Sequence, residues 1–210
     1  MNNKQLVARS YEGVPAIRNA CREFRNLPIA EIKKLLSSPT HEYRLGAVIL
    51  LGNQYIHATP GEQQKIYDTY MQAVYDGFVN NWDIVDLSAK NIVGRHLRNS
   101  SRDILLELAA DKSVWQRRVA VLASFDFINQ GDPSTSLILA EKLLHDKHDL
   151  IQKAVGWMLR EIGKRVDRKI LLQFLDEHAH EMPRTMLRYS LEHLPAQQKA
   201  HYMQAAKKNR

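Results

Sequence analysis

The chain has one cysteine, Cys21, in 210 residues. That count rules out an internal disulfide and leaves a thiolate-held zinc or iron–sulfur centre without enough ligands. It fits a reducing compartment, and a cytoplasmic location is expected. Long apolar runs are also missing. No segment approaches the ~20 consecutive apolar residues of a membrane-spanning helix, and the opening MNNKQLVARSYEGV reads neither as a signal peptide nor as an anchor. Low-complexity tracts are absent, which argues against disorder outside the termini. Gly-x-Gly-x-x-Gly, the P-loop and His-Glu-x-x-His are absent too, and with them the sequence signatures of dinucleotide, triphosphate and catalytic zinc sites. Period-two alternation is scarce, so sheet is not the organising element.

What remains is an ordinary globular composition, 44% hydrophobic and 25% charged, with a net charge of +7 and a pI near 9.5. Three of the cations, Lys207, Lys208 and Arg210, sit in the tail, and the body is basic without them. A basic balance favours polyanions, nucleic acid before an acidic membrane surface. A merely solvated basic surface is the equal alternative at this point.

Apolar residues recur at three and four, as in Ile151, Val155, Met158, Leu159 and Ile162, which is the helical period. Breakers at Pro28, Pro39, Pro60, Gly131-Asp132-Pro133, Pro183 and Pro195 cut the chain into short pieces. About twelve helices of ordinary length are expected, in one continuous domain over residues 1–210. Four segments resemble one another: HEYRLGAVILL from His41, WQRRVAVLASF from Trp115, IQKAVGWMLRE from Ile151 and MPRTMLRYSLE from Met182. Each places a basic residue (Arg44, Arg118, Lys153, Arg184) ahead of an apolar run, at separations of 74, 35 and 31 residues. The spacing predicts an all-α stack of helix pairs near the ~40-residue period of HEAT-type repeats. Small residues such as Gly46, Ala47, Ala120, Ala154 and Gly156 would allow close packing. The recurring cations would line a concave face and meet phosphates. Alternatively, they cap the preceding carbonyls or pair with nearby acids.

The beat expected near position 81 reads NNWDIVD, residues 80–86, and carries acids where cations recur elsewhere. Asn80 or Asn81 can cap a helix, and Asp83 then lies in its first turn, favourable to the helix dipole. Trp82 and Asp86 stand at i and i+4, on one face. An aromatic ring and a carboxylate together suit a cation, or a group that becomes cationic during reaction. A polyanion with one local positive charge describes alkylated DNA. A purine methylated at a ring nitrogen is cationic and can depart neutral, so a carboxylate near the sugar would suffice to stabilise the oxocarbenium-like transition state. The plainer alternatives are a core tryptophan and an Asp86–Lys90 surface pair. The runs His145–Asp149 and His178–Glu181 read as solvated turns rather than metal sites.

The same residues resemble the DNA alkylation repair family of HEAT-like-repeat DNA glycosylases, of AlkD type. The matching pieces are Gly13-Val14-Pro15 with Arg18, HEYRLGA from His41, NNWDIVD, WQRRVAV from Trp115 and DLIQKAVGWMLREIGK from Asp149. The resemblance implies a curved right-handed solenoid holding duplex DNA in a basic concave cleft. It also implies a monofunctional glycosylase that releases cationic alkylpurines such as 3-methyladenine and 7-methylguanine without a base-binding pocket. On the family motif, Trp82, Asp86, Arg118 and Trp157 take the catalytic positions. The tryptophans would press on the lesion nucleotide, Asp86 would face C1′, and Arg118 would clamp the adjacent phosphate. Arg44, Arg117 and Lys153 are candidate backbone contacts, while Arg160 is as readily a salt bridge. Neither cofactor nor metal is expected, nor strand cleavage, since Lys90 is the only lysine near the Trp-Asp unit. The expected state is a monomer on double-stranded DNA, with no membrane partner. The short stretch before Gly13 would truncate the leading helix of longer members. The alternative function is a non-catalytic HEAT-repeat module that binds distorted DNA or a protein partner.

Overall fold

Helical periodicity decides that the chain forms helices, and its punctuation decides where each one stops. The computed structural model describes residues 14–208, with side chains through residue 204. Gly13 and the stretch before it lie outside the described residues. The tail cations Lys207, Lys208 and Arg210 lie outside the described side chains. Among the described residues every regular element is helical and none is a strand. No described helix is long and apolar enough to cross a membrane.

The chain divides into two compact units, Met1–His96 and Leu97–Arg210. The first holds α1 (Val14–Glu23), α2 (Ile29–Leu36), α3 (His41–His57), α4 (Pro60–Tyr75) and α5 (Trp82–Ala89), which runs on as a π-helical turn over Lys90–Gly94. The second holds α6 (Asp103–Ala109), α7 (Val114–Ala123), α8 (Phe125–Asn129), α9 (Ser134–Lys142), α10 (Asp149–Arg165), α11 (Arg168–His178), α12 (Arg184–Ser190) and α13 (Ala196–Lys208). The breakers fall at the boundaries. Pro28 and Pro183 precede α2 and α12, Pro60 opens α4, and Pro133 precedes α9. Gly131 turns at φ 85°, a conformation that costs a residue with a Cβ. Glu62 accepts from both the amide and the hydroxyl of Thr59 (2.8 and 2.7 Å), which fixes the start of α4.

Each unit is built around one helix of 17 residues. In the first, α3 buries Leu45–Gly52 and Tyr55 and packs against α1, α2, α4 and α5. A helix apolar on nearly every side is one that neighbours surround. In the second, α10 buries Ile151, Ala154, Val155, Met158, Leu159 and Ile162 and packs against α7, α8, α9, α11 and α12. Gly156 sets the approach of α10 to α12, because a Cβ there would lie 2.4 Å from the Met186 carbonyl oxygen and 2.6 Å from Tyr189 Cβ. Gly156 is one of the small residues expected to permit close packing, and here the backbone of α12 is what it meets.

Gly156→Ala should therefore destabilise the protein by about 1–3 kcal/mol through overpacking, seen as a lower urea midpoint with an unchanged slope. Cys21 is fully buried beside the Gly46 carbonyl, and burial pushes its thiol up to about 11. It should stay unreactive toward a thiol reagent at neutral pH until the chain unfolds, which a colorimetric thiol assay with and without denaturant will test.

Candidate nucleic-acid interface

The starts of α3, α5, α7, α10 and α12 share the ordinary geometry of a helix start, which lets their positions be compared. The residue before each helix (Thr40, Asn81, Ser113, His148, Pro183) accepts with its carbonyl the amide four places on: Arg44, Val85, Arg117, Gln152 and Leu187 respectively. This common frame shows what each side chain in the recurring motif does.

At the fourth helical place, three of the side chains turn back. Arg44 Nη1 donates to the Ser38 and Pro39 carbonyls at 2.7 and 2.9 Å. Arg117 Nη1 does the same to Asp111 and Lys112, at 2.9 Å each, and its Nε reaches Asp146 at 2.7 Å. Gln152 Nε2 donates to the Asp146 carbonyl at 3.0 Å. Of the recurring cations, Arg44 caps the preceding carbonyls, Arg118 and Arg184 donate to carbonyls further along the chain, and Lys153 pairs with a nearby acid; Arg117, outside that set, caps its own turn. Turn carbonyls need donors when the next helix starts at once.

One place further along stand Leu45, Asp86, Arg118, Lys153 and Arg188. The last three are 35 residues apart each time. Arg184, which the sequence pattern groups with them, instead opens α12 and donates to the Met203 carbonyl at 3.3 Å. Asp86 thus occupies, in the first unit, the helical place that cations occupy in the second.

In the first unit, Asn81 caps α5, its side chain accepting from the Trp82 amide at 2.7 Å. The helix buries Ile84, Val85, Ser88 and Ala89, and Trp82 is left 55% exposed. A core role for this tryptophan is excluded. Asp86 is half-buried one turn on. Beneath it, the fully buried Tyr70 hydroxyl meets Ser88 Oγ at 2.8 Å. Burial pushes the Tyr70 phenol up, the Ser88 bond opposes this, and the charge of Asp86 adds to it. Asp83 does more than face the helix dipole. Its Oδ1 accepts from the Ile84 amide (2.8 Å) and its Oδ2 meets His41 Nε2 (2.9 Å), tying the start of α5 to the start of α3. The sequence offers no sign of this contact between residues 42 positions apart. The π-helical turn then follows directly, a feature often found beside functional sites.

In the second unit, Arg118 is 5% exposed and donates through Nη1 to the Leu150 carbonyl at 2.6 Å, in the first turn of α10. Lys153 pairs with Asp149 at 2.6 Å, both groups open to solvent. That carboxylate raises the Lys153 ammonium, and the neighbouring Arg118 charge opposes it. Arg188 is exposed on α12. Trp157 is half-buried, its indole N–H donating to Glu161 at 3.1 Å and its ring tilted 58° to Phe125 at 5.7 Å. Burial pushes the Glu161 carboxyl up, but hydrogen bonds from Arg165 and Arg160 outweigh it, and the carboxyl is held below the usual range. Arg160 also bonds Glu192, so a salt bridge holds it. Glu161 and Phe125 lie inside the quoted segments, but nothing in the pattern singles them out. Both are visible only through the residue they hold.

The histidine runs are structural. His148 Nδ1 accepts from the Leu150 amide at 3.2 Å, and His145 and His178 pair with Glu181. Among the described residues no three His, Cys, Asp or Glu side chains form a group that could hold a metal ion.

Each unit therefore carries a tryptophan and a charged group set by helix starts: Trp82 with Asp86 in the first, Trp157 with Arg118 in the second. The exposed Trp82 ring and the half-buried Asp86 carboxylate suit a cationic centre, and the cations of the second unit suit phosphates. A family model described as "DNA alkylation repair enzyme" matches residues 13–194. A search of curated proteins found no match.

Glu161→Gln should remove a pH-dependent part of stability. A carboxyl held low in the fold stabilises above its unfolded value and loses that contribution as pH falls through the folded one. Below about pH 4 the wild-type and variant melting temperatures should therefore converge, and above it the variant should melt lower. Its Trp157 emission should also shift.

Proposed function

The chain belongs to the DNA alkylation repair enzyme family, and we propose that within it the protein is a monofunctional DNA glycosylase acting on cationic alkylpurines in duplex DNA. The observation that carries this reading is Trp82 and Asp86, one turn apart on α5, the ring 55% exposed and the carboxylate half-buried. A structural tryptophan would be covered. Asp86 is an acid in the helical place that Arg118, Lys153 and Arg188 fill with cations in the second unit.

In this reading the bond between C1′ and the purine ring nitrogen breaks, and its electron pair neutralises the cationic base as it leaves. The water oxygen bonds C1′ and gives up a proton. Asp86 stabilises the developing positive sugar and receives that proton. Trp82 lays its π face against the same charge, and in the second unit Trp157, oriented by Glu161 and Phe125, offers a π face to the nucleic acid. Arg118 neutralises the neighbouring phosphate, its guanidinium pre-set by the Leu150 carbonyl. Lys153, Arg44 and Arg117 contact the backbone through whatever hydrogen-bonding capacity their structural bonds leave. No cofactor enters the step. The 35-residue register from Arg118 through Lys153 to Arg188 supports HEAT-like helix pairs in the second unit. We place the protein in the cell, as a monomer on DNA.

The test is release of 7-methylguanine and 3-methyladenine from methylated duplex DNA. Asp86→Asn should bind that DNA as wild type does and lose about 100-fold or more in release rate. Arg118→Ala should lose both binding and release. Equal release by wild type and Asp86→Asn would sink the mechanism. Binding without release by either protein would favour a module that recognises altered DNA without chemistry.

A further inference from the structure

The first unit has a concave feature that the proposed chemistry does not use. Two cavities adjoin across the surface formed by α1, α3 and the flanking helices, one of about 670 Å³ and one of about 300 Å³. They share Arg22, Asn53 and Ile56 and so form one groove. Its larger half is walled mainly by apolar groups, Leu27, Pro28, Ile29 and Ile66 among them, and Ile56 stands 51% exposed in it. The groove is preformed. Gln54 on α3 donates to the Arg25 and Leu27 carbonyls at 2.9 and 2.8 Å, holding the turn after α1 against the end of α3.

Along its rim run Arg18, Arg22 and Arg25, at i, i+4 and i+7 on and just past α1. All three are exposed, and none has an ion-pair partner among the described residues. The one acid lining the groove among the described residues, Glu62, is engaged by Thr59. A row of arginines beside an apolar hollow has two matching needs: carboxylates or phosphates for the guanidinium forks, and an apolar side chain for the hollow. Duplex DNA offers the first but only a hydrophilic phosphate ridge for the second. A single strand gains its affinity by stacking bases on aromatic rings, and among the described residues no Phe, Tyr or Trp lines either cavity. An acidic peptide with one or two apolar side chains supplies both.

We propose that this groove docks an acidic, amphipathic peptide segment of a partner protein. Its apolar side chain would fill the hollow over Ile56, and its carboxylates would bond Arg18, Arg22 and Arg25. This inference does not depend on glycosylase activity.

A random peptide library displayed on phage, panned on the whole protein, tests it. The expected enrichment is of sequences in which acids flank an apolar residue. A fluorescein-labelled synthetic copy of one such sequence should bind at least about tenfold more weakly to Arg22→Glu and to Ile56→Asp, with methylpurine release and melting temperature of Arg22→Glu unchanged. If Ile56→Asp does not fold, Arg25→Glu serves in its place. The proposal is overturned if no acidic consensus emerges, or if the peptide binds these variants as tightly as wild type. It is also overturned if Arg22→Glu weakens binding of a DNA duplex or single strand instead, which would make the face a nucleic-acid contact.

Discussion

Where one helix ends and the next begins at once, the turn leaves carbonyl groups that need donors before anything else can be arranged. This requirement shapes the molecule at three of its central helices. Arg44, Arg117 and Gln152 meet it from the fourth helical place, reaching back to the turn they have just left. Once that place is committed to the backbone, the next residue is the one available for chemistry. At α7 and α10 that next residue is Arg118 and Lys153, whereas at α5 and α12 the fourth place holds the buried Val85 and Leu187, and Asp86 and Arg188 follow them. The placement of Arg118 and Lys153 is thus tied to how their turns are satisfied.

The same logic governs the buried charges. An ion taken out of water is tolerated only when paired and hydrogen-bonded. Asp126 is 1% exposed and holds Arg98 through two bonds of 2.5 and 2.9 Å. Glu161 gathers Arg160, Arg165 and the Trp157 indole around one carboxylate. The first secures the packing of the second unit. The second gives a candidate functional ring a defined orientation, because a half-buried tryptophan bonded at its N–H cannot turn freely. In the first unit the His41–Asp83 contact plays the corresponding part for the turn that carries Trp82.

Much of this was legible in the residues. Helix class followed from the three–four spacing, the boundaries from proline and glycine, and the candidate pair from Trp82 and Asp86 standing four apart. The recurring cation was legible as a type but not by position. Arg184 and Arg188 are both basic, and only the helix start shows that Arg188 shares the place of Arg118. Partners 30 or 40 residues distant, such as His41 with Asp83, leave no mark in a linear pattern.

The sequence by itself determined what is local: where helices form, where they stop, which residues share a face, and that the chain is basic with an acidic interruption at NNWDIVD. These depend on the backbone and on neighbours within one or two turns. Only the tertiary structure decided which charges are engaged by carbonyls or acids, that Trp82 is exposed while Arg118 is buried, and that the face of α1 borders an apolar groove. Burial and partnership depend on which helices come to lie side by side, and that is a property of the packed chain.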